Sequence, residues 1–209
     1  RGTETRLTMS RNSEFAPLLL PGGRGVIFVV HWKGKTPDTI ALFSSGKKKK
    51  LVQVDGQSLW NPVYSRTGHI LFRRQPTNAG IWAVPFSLSK LEVTGEPFLI
   101  VPNAENPSVA ADGTLLYEQA IGGGLTQLAW VDRSGQLIGN IGQPQPRQVF
   151  PALSPDGKRV AVAADEGDNT DVWIHDSARN TKTRLTFDPT VETVPAWSPR
   201  GDQVAYQSS

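Results

Sequence analysis

Two stretches 44 residues apart decide the fold: PALSPDG at 151–157 and PAWSPRG at 195–201. Weaker copies precede them, PSVAADG at 107–113, PVYSRTG at 62–68 and PLLLPGG at 17–23. Their prolines are spaced by 45, 45, 44 and 44 residues, and a glycine follows each proline six residues later. Because two residue types keep one register over five copies, we interpret the chain as a repeat array.

Each copy predicts a β-hairpin followed by two more strands. Proline lacks an N–H and suits the first residue of a strand, while SPDG is a turn sequence that uses Pro, Asp and Gly for their backbone preferences. In the clearest copy, further strands are predicted at 159–163, 171–175 and 183–186. Four antiparallel strands in about 44 residues are typical of a β-propeller blade.

The hydrophobic pattern favours stacked sheets. Residues 26–30 and 160–164 are apolar on successive positions, so both faces of these strands are predicted to be buried, as they are between neighbouring blades. A β-sandwich with fortuitous spacing is the alternative. The 20 glycines and 16 prolines are spread along the 209 residues, which suits many short strands joined by turns.

We therefore predict an all-β fold, an incomplete β-propeller ring with four full four-stranded antiparallel blades and two partial ones. RGTETRLT at 1–8 matches RNTKTRLT at 179–186, so the first segment is expected to be the last strand of a preceding blade. The predicted units are 1–8, 9–54, 55–101, 102–142, 143–187 and 188–209, the last holding two strands. Joining the two ends would leave a blade without its third strand, so we expect further blades outside this chain.

The repeat also resembles a known family. SPDGKRVA at 154–161, DVWIHD at 171–176 and TRLTF at 183–187 are similar to the TolB-type, WD-repeat-like propeller. LAWVDRSG at 128–135 with LEVTGEP at 91–97 resembles the C-terminal propellers of bacterial transmembrane Ser/Thr protein kinases, common in Acidobacteria.

The resemblance implies an extracytoplasmic sensor or docking module that binds a protein, a peptide or another envelope component. Any membrane attachment would come from a segment outside this chain, and the domain is expected to be monomeric. Two alternatives stay open: a propeller that accompanies a prolyl-oligopeptidase-like hydrolase domain, and a stand-alone periplasmic TolB-type scaffold. A cytoplasmic location also stays open.

Composition excludes several classes. With no cysteine there are no disulfides, thiolate metal sites or cysteine nucleophiles. A net charge of +3 does not indicate nucleic-acid binding. The longest apolar run, at 25–30, is far shorter than the roughly 20 residues of a membrane helix.

We expect no catalytic site and no cofactor. The kinase His-Arg-Asp and Asp-Phe-Gly motifs, the Gly-x-Ser-x-Gly nucleophile elbow, the P-loop and His-Glu-x-x-His do not occur. An enzyme that used the propeller channel would need carboxylates or imidazoles on the first strands. We place these strands on the three residues after each proline, and those carry neither group. The three histidines, His31, His69 and His175, fall in different blades, which disfavours a zinc triad.

Four weak candidates for contacts remain. The run Lys47, Lys48, Lys49 and Lys50 is interpreted as a charged turn that protects an outer edge strand, with an anion-docking patch as the alternative. The acidic loop containing Asp165, Asp168 and Asp171 is interpreted as solvated, with Ca²⁺ binding as the alternative.

Tryptophans form the last group. Trp82, Trp130 and Trp173 recur on third strands and Trp197 lies on a first strand, which favours packing between blades. Trp32 and Trp60 are predicted to break the register and to be candidates for exposed contacts.

Overall fold

A computed structural model describes residues 13–31, 37–122, 125–132, 136–166 and 169–209. Within these ranges the regular structure is β, apart from one 3₁₀ turn at Pro21–Gly23, and the strands form five antiparallel sheets. The prediction of an all-β propeller with four-stranded blades is confirmed. No helix of the described ranges has the length and apolarity to cross a bilayer.

The strands run in chain order within each sheet. Blade 1 contains β1 (Ser13–Leu19), β2 (Val26–His31), β3 (Thr39–Ser44) and β4 (Lys47–Gln53). Blade 2 contains β5 (Ser58–Ser65), β6 (His69–Gln75), β7 (Gly80–Ser87), β8 (Glu92–Val93) and β9 (Phe98–Pro102). Blade 3 contains β10 (Ala104–Val109), β11 (Leu115–Gly122), β12 (Leu125–Val131) and β13 (Leu137–Gln145). Blade 4 contains β14 (Gln148–Leu153), β15 (Arg159–Glu166), β16 (Asn169–Asp176) and β17 (Thr181–Arg184). The two-stranded unit contains β18 (Glu192–Trp197) and β19 (Val204–Ser208).

Blade 2 differs from the four-strand plan at its outer edge. Its fourth position is divided between β8 and β9, which both pair with β7. β8 faces Phe86 and Ser87, whereas β9 faces residues 80–83. The interruption between them carries Gly95 and Pro97.

The repeat prolines do not begin the first strands, as the sequence suggested, but lie inside them. Each first strand starts three or four residues earlier, and its pairing shifts register at the proline. The residue before each proline has a positive φ between 47° and 56°. These residues are Ala16, Asn61, Asn106, Phe150 and Val194. A β-bulge leaves a residue unpaired, so a proline there sacrifices no ladder hydrogen bond, and this explains its position.

One hydrogen bond recurs in all five turns after the first strands, from the N–H of the repeat glycine to the carbonyl three residues earlier, even in the degenerate first copy. In blade 4, Ser154 N donates to Arg159 O at 2.8 Å and Gly157 N donates to Ser154 O at 2.9 Å. In blade 1, Leu20 N donates to Gly25 O at 2.9 Å and Gly23 N donates to Leu20 O at 3.1 Å. The sequence PGG therefore closes its turn with the same two hydrogen bonds as SPDG, although Gly22 has a positive φ that the equivalent Asp156 does not share.

The apolar core lies between the blades. Residues 160–164 are fully buried, and Ile27, Val29 and Val30 are equally so, which confirms that second strands are covered on both faces. Separate apolar clusters join blade 1 to blade 2, blade 2 to blade 3 and blade 3 to blade 4. Each blade therefore packs mainly against its neighbours, as in other repeat architectures.

The first strands lie at the inner edge of the array. Those of successive blades contact one another, and hydrogen bonds tie them at a constant separation of 45 residues. Leu153 N donates to Ser108 Oγ at 3.0 Å, and Trp197 Nε1 donates to Ala152 O at 2.9 Å. The residues that bend these strands are consequently brought to the propeller axis.

Candidate functional site at the propeller axis

A group of polar side chains lies at the axial end of blades 2 and 3, and we call it the axial polar network. Its members are Asn61 on β5, Arg73 on β6, Glu105 and Asn106 on β10, and Glu118 on β11. Both asparagines occupy the bulge position before a repeat proline, where their left-handed backbone is tolerated better than for most residues. The bulge thus turns two amide side chains toward each other across the blade boundary.

Hydrogen bonds connect these side chains in series. Asn61 Nδ2 donates to Asn106 Oδ1 at 2.5 Å, and Asn106 Nδ2 donates to Glu118 Oε2 at 2.7 Å. Arg73 Nη2 donates to Glu105 Oε1, and also to Gln75 Oε1 at 2.8 Å. The network therefore spans two blades and contains neutral amides beside an ion pair.

Burial changes the chemistry of Glu118. This side chain is 7% exposed, and burial raises its pKa to about 7. The hydrogen bond from Asn106 opposes the rise, the charge of Glu105 adds to it, and the nearby charges of Arg73 and Arg147 oppose it. Near neutral pH the group changes between an acceptor and a donor of hydrogen bonds.

Sequence reasoning missed this network because it placed the first strands too late. Starting each strand at the proline left Glu14, Glu105 and Glu192 outside it, although all three lie on first strands. The statement that first strands carry no carboxylate is therefore wrong. A usable signal existed in the two Asn-Pro pairs at 61–62 and 106–107, which are separated by one repeat.

The lysine run does not form the turn itself, as the sequence suggested, because the turn lies at residues 45–46. The run forms the first four residues of the outer strand β4, and all four are exposed. Lys48 Nζ lies 2.6 Å from Glu14 Oε1, and Lys49 Nζ donates to the carbonyl of Leu91 in blade 2 at 3.4 Å. β4 pairs only with β3 among the described strands, so the lysines occupy a sheet edge. An anion-docking role for them stays a prediction.

Of the two tryptophans that were predicted to break the register, Trp32 lies outside the described residues. Trp60 keeps the register, contrary to the expectation, because both it and Phe15 stand two residues before a repeat proline. The two rings pack with centroids 5.0 Å apart, and Trp60 is half-buried. Its Nε1 is buried without a hydrogen-bond partner among the described residues.

The acidic loop is only partly described, because Asp168 lies outside the described residues. Asp165 accepts a hydrogen bond from Thr170 Oγ1 at 2.5 Å, and Asp171 forms an ion pair with Arg184 at 2.7 Å. Asp171 pairs with Ala164, the neighbour of Asp165, so the two carboxylates point to opposite faces of the sheet. The structure therefore does not bring these two together.

The histidines have unrelated surroundings. His31 Nδ1 lies 2.6 Å from Asp38 Oδ1 in blade 1, and the His69 ring meets Phe98 edge-on in blade 2. His175 is buried between blades 3 and 4. Within the described ranges, no three His, Asp or Glu side chains form a group suited to a metal ion.

Comparisons with known proteins support the fold class. No family model matches the chain. A segment of 44 residues is 40% identical to the Tol-Pal system protein TolB of Anaeromyxobacter dehalogenans, which covers 21% of this chain and 10% of that protein.

Solved structures cover nearly the whole chain. TolB from Acinetobacter baumannii superposes with a TM-score of 0.77 and 22% identity, over 95% of this chain and 49% of TolB. A putative TolB from Agrobacterium tumefaciens gives 0.79 and 17% identity, over 97% and 72% of the two chains. The fold is that of a TolB-type β-propeller, and this chain spans about half the length of the Acinetobacter protein.

A similar fold also occurs in a peptidase. A puromycin-hydrolyzing peptidase from Mycobacterium tuberculosis superposes with a TM-score of 0.64 and 14% identity, over 83% of this chain and 29% of the peptidase. The propeller architecture is therefore shared by proteins of different function, and function must be argued from the site.

Proposed function

We propose that this chain is a non-catalytic propeller that binds a protein segment at the axial polar network. The observation that carries the proposal is the hydrogen-bonded series from Asn61 through Asn106 to Glu118, located where two bulged first strands meet. Amide side chains offer both donors and acceptors, which match those of a peptide backbone. The Arg73–Glu105 pair beside them is about one-quarter to two-fifths exposed, so it is accessible to a ligand.

The biological context belongs to the same proposal. We place the propeller outside the cytoplasm as the sensor part of a bacterial Ser/Thr kinase, on the sequence resemblance at 128–135 and 91–97. Similarity to a Tol-Pal system protein supports an envelope role and also a stand-alone scaffold. Similarity to a peptidase propeller supports the alternative of an attached hydrolase domain.

Binding can be tested with a peptide library displayed on phage and selected on the 209-residue chain. Peptides selected in this way should lose most of their affinity for Arg73→Gln, because the cation of the network, which is about one-quarter exposed, is gone. Lys48→Gln is a matched control, because it also neutralises a cation that pairs with a glutamate, and Lys48 lies on the outer strand β4 and not in the axial polar network. Equal binding to both variants would contradict an axial site.

The context is tested separately by the complete reading frame. An upstream kinase domain followed by one hydrophobic span supports the sensor role, whereas a downstream Gly-x-Ser-x-Gly motif replaces it with the hydrolase alternative. Exposure of the propeller to protease added outside spheroplasts would test the location directly.

A further inference from the structure

A second candidate site lies away from the axis, between blades 3 and 4. A cavity of about 450 Å³ opens between the outer strand β13 and the segment from the end of β16 to β17. Its walls include Trp130, Gln145, His175 and Asn180. This volume falls within the roughly 300–1,000 Å³ typical of small-molecule pockets. We call it the outer cavity.

Two polar groups of the outer cavity are left without partners. His175 is 4% exposed, and its Nε2 has no hydrogen-bond partner within the described part of the chain. The same holds for the buried Oε1 of Gln145. Leaving a buried polar group without a hydrogen bond destabilises the fold, so such groups call for an explanation. A ligand that hydrogen-bonds to them supplies one.

The backbone of β13 approaches the imidazole closely. Gly142 has a φ of +66°, and a Cβ at this position would lie 2.8 Å from His175 Cε1. Glycine is therefore required both by the backbone conformation and by the ring. The arrangement holds the imidazole in place without a side chain from β13 in front of it.

The charges around the outer cavity already compensate one another. Lys182 pairs with Glu166, and its Nζ lies 4.2 Å from the centroid of the Trp173 ring. Asp176 accepts hydrogen bonds from the backbone N–H groups of Ala178 and Arg179, each at 3.0 Å. Burial and the charge of Lys182 lower the pKa of His175 to about 4, so the imidazole is neutral at physiological pH. The cavity thus favours an uncharged ligand.

We propose that the outer cavity binds a small neutral saccharide of one or two rings. A sugar carries hydroxyl donors for Gln145 Oε1 and His175 Nε2, and its C–H face suits the aromatic wall at Trp130. Both acceptor atoms are closed to solvent in this structure, so binding must move the part of the cavity wall that covers them. Asn180 adds an amide at the cavity wall. This site is independent of the axial polar network and of the function proposed for it.

The test combines calorimetric titration with NMR of ¹⁵N-labelled histidine. Cellobiose, maltose and N,N′-diacetylchitobiose are the probes, and adenosine and inorganic phosphate represent other ligand chemistries. At least one disaccharide should bind saturably and shift the His175 Nε2 resonance. His175→Phe removes the ring nitrogens and should weaken that binding at least tenfold.

His69→Phe is the matched control, since His69 lines a different cavity of about 440 Å³ between blades 2 and 3. Circular dichroism and urea unfolding check that His175→Phe folds. If it does not, Gln145→Leu should produce the same loss of binding. The proposal is overturned if none of the disaccharides binds, if the variants bind as well as the original chain, or if only adenosine or phosphate binds.

Discussion

The axial polar network and the outer cavity bury polar groups in opposite ways. Along the axis, Asn61, Asn106 and Glu118 satisfy one another across the boundary between blades 2 and 3. In the outer cavity, His175 Nε2 and Gln145 Oε1 have no partner in the described residues. The comparison teaches that internal hydrogen bonds hold the side chains of one repeat boundary in fixed positions, whereas the other boundary keeps polar atoms whose hydrogen bonds only a ligand can supply.

The largest effect should come from a substitution in the axial polar network, whose polar groups are hydrogen-bonded to one another. Asn106→Ala removes the donor to buried Glu118 and the acceptor of Asn61, so we expect a loss of about 3 kcal/mol in the free energy of unfolding, measured with urea. Asn78→Ala is the control, because Asn78 shares the positive φ but is exposed. Equal losses in the two variants would show that only backbone conformation matters.

The next effect is a pH dependence at the axis. Since the pKa of Glu118 is raised from 4.5 to about 7, the folded state binds a proton more tightly than the unfolded state. Its contribution favours folding below pH 4.5 and weakens as the pH rises to 7, by up to about 3 kcal/mol. Glu118→Gln, which stays neutral, should be the more stable chain at pH 8. A variant of unchanged or lower stability at that pH would contradict this assignment.

In the outer cavity the pH dependence of stability has the opposite sign. The pKa of His175 is lowered from 6.5 to about 4, so the unfolded state takes up the proton first. Stability from this group is complete above pH 6.5 and is lost as the pH falls to 4, again by up to about 3 kcal/mol. The two dependences oppose each other between pH 4.5 and 6.5. Over that interval Glu118→Gln, which keeps His175, should lose stability on acidification. His175→Phe, which keeps Glu118, should gain stability. Urea unfolding at several pH values measures both changes.

A smaller effect tests the close approach of β13 to the imidazole. Gly142→Ala should cost about 2 kcal/mol, part from the positive φ and part from contact with His175. Gly56→Ala isolates the first part, because Gly56 has a φ of +68° and its added Cβ would meet no described atom within 4 Å. Thermal unfolding of both variants gives the difference, and a difference of zero would argue against the contact.

The smallest effect is expected at the surface. Lys48→Gln removes the ion pair between Lys48, which is about one-third exposed on the outer strand β4, and Glu14 on the first strand β1. An ion pair with one solvated member contributes about 1 kcal/mol or less. Urea unfolding should therefore hardly distinguish this variant from the original chain. A loss comparable to that of Asn106→Ala would mean that the buried polar groups are not what separates the two regions.

The repeat prolines and glycines were sufficient to predict the blades, because turn chemistry is local. The hairpins after Ser65 and Ser154 follow from the residue types in the turns themselves. The bulges could not be predicted in this way, since the bend at Asn106 depends on pairing with β11. Consequently the predicted first strand excludes Glu105, and the sequence does not predict the axial polar network.

The outer cavity was beyond sequence reasoning for a related reason. His175 and Gly142 are 33 positions apart and belong to different blades, and no local sequence pattern around either residue predicts their contact. Separation in the chain also concealed the contact of Trp60 with Phe15, which are one repeat apart. Contacts within a blade can be predicted from local sequence patterns, but predicting contacts between blades requires the angle at which the sheets stack.

The bend before each repeat proline also bears on how such a chain diverges. Its five occupants are alanine, two asparagines, phenylalanine and valine, so the kink accommodates side chains of very different size and polarity. Duplication of a blade copies the kink and its proline together and leaves one adjustable residue beside the axis. New binding preferences can then arise one blade at a time, by substitution at a single codon, while the scaffold that presents them is inherited unchanged.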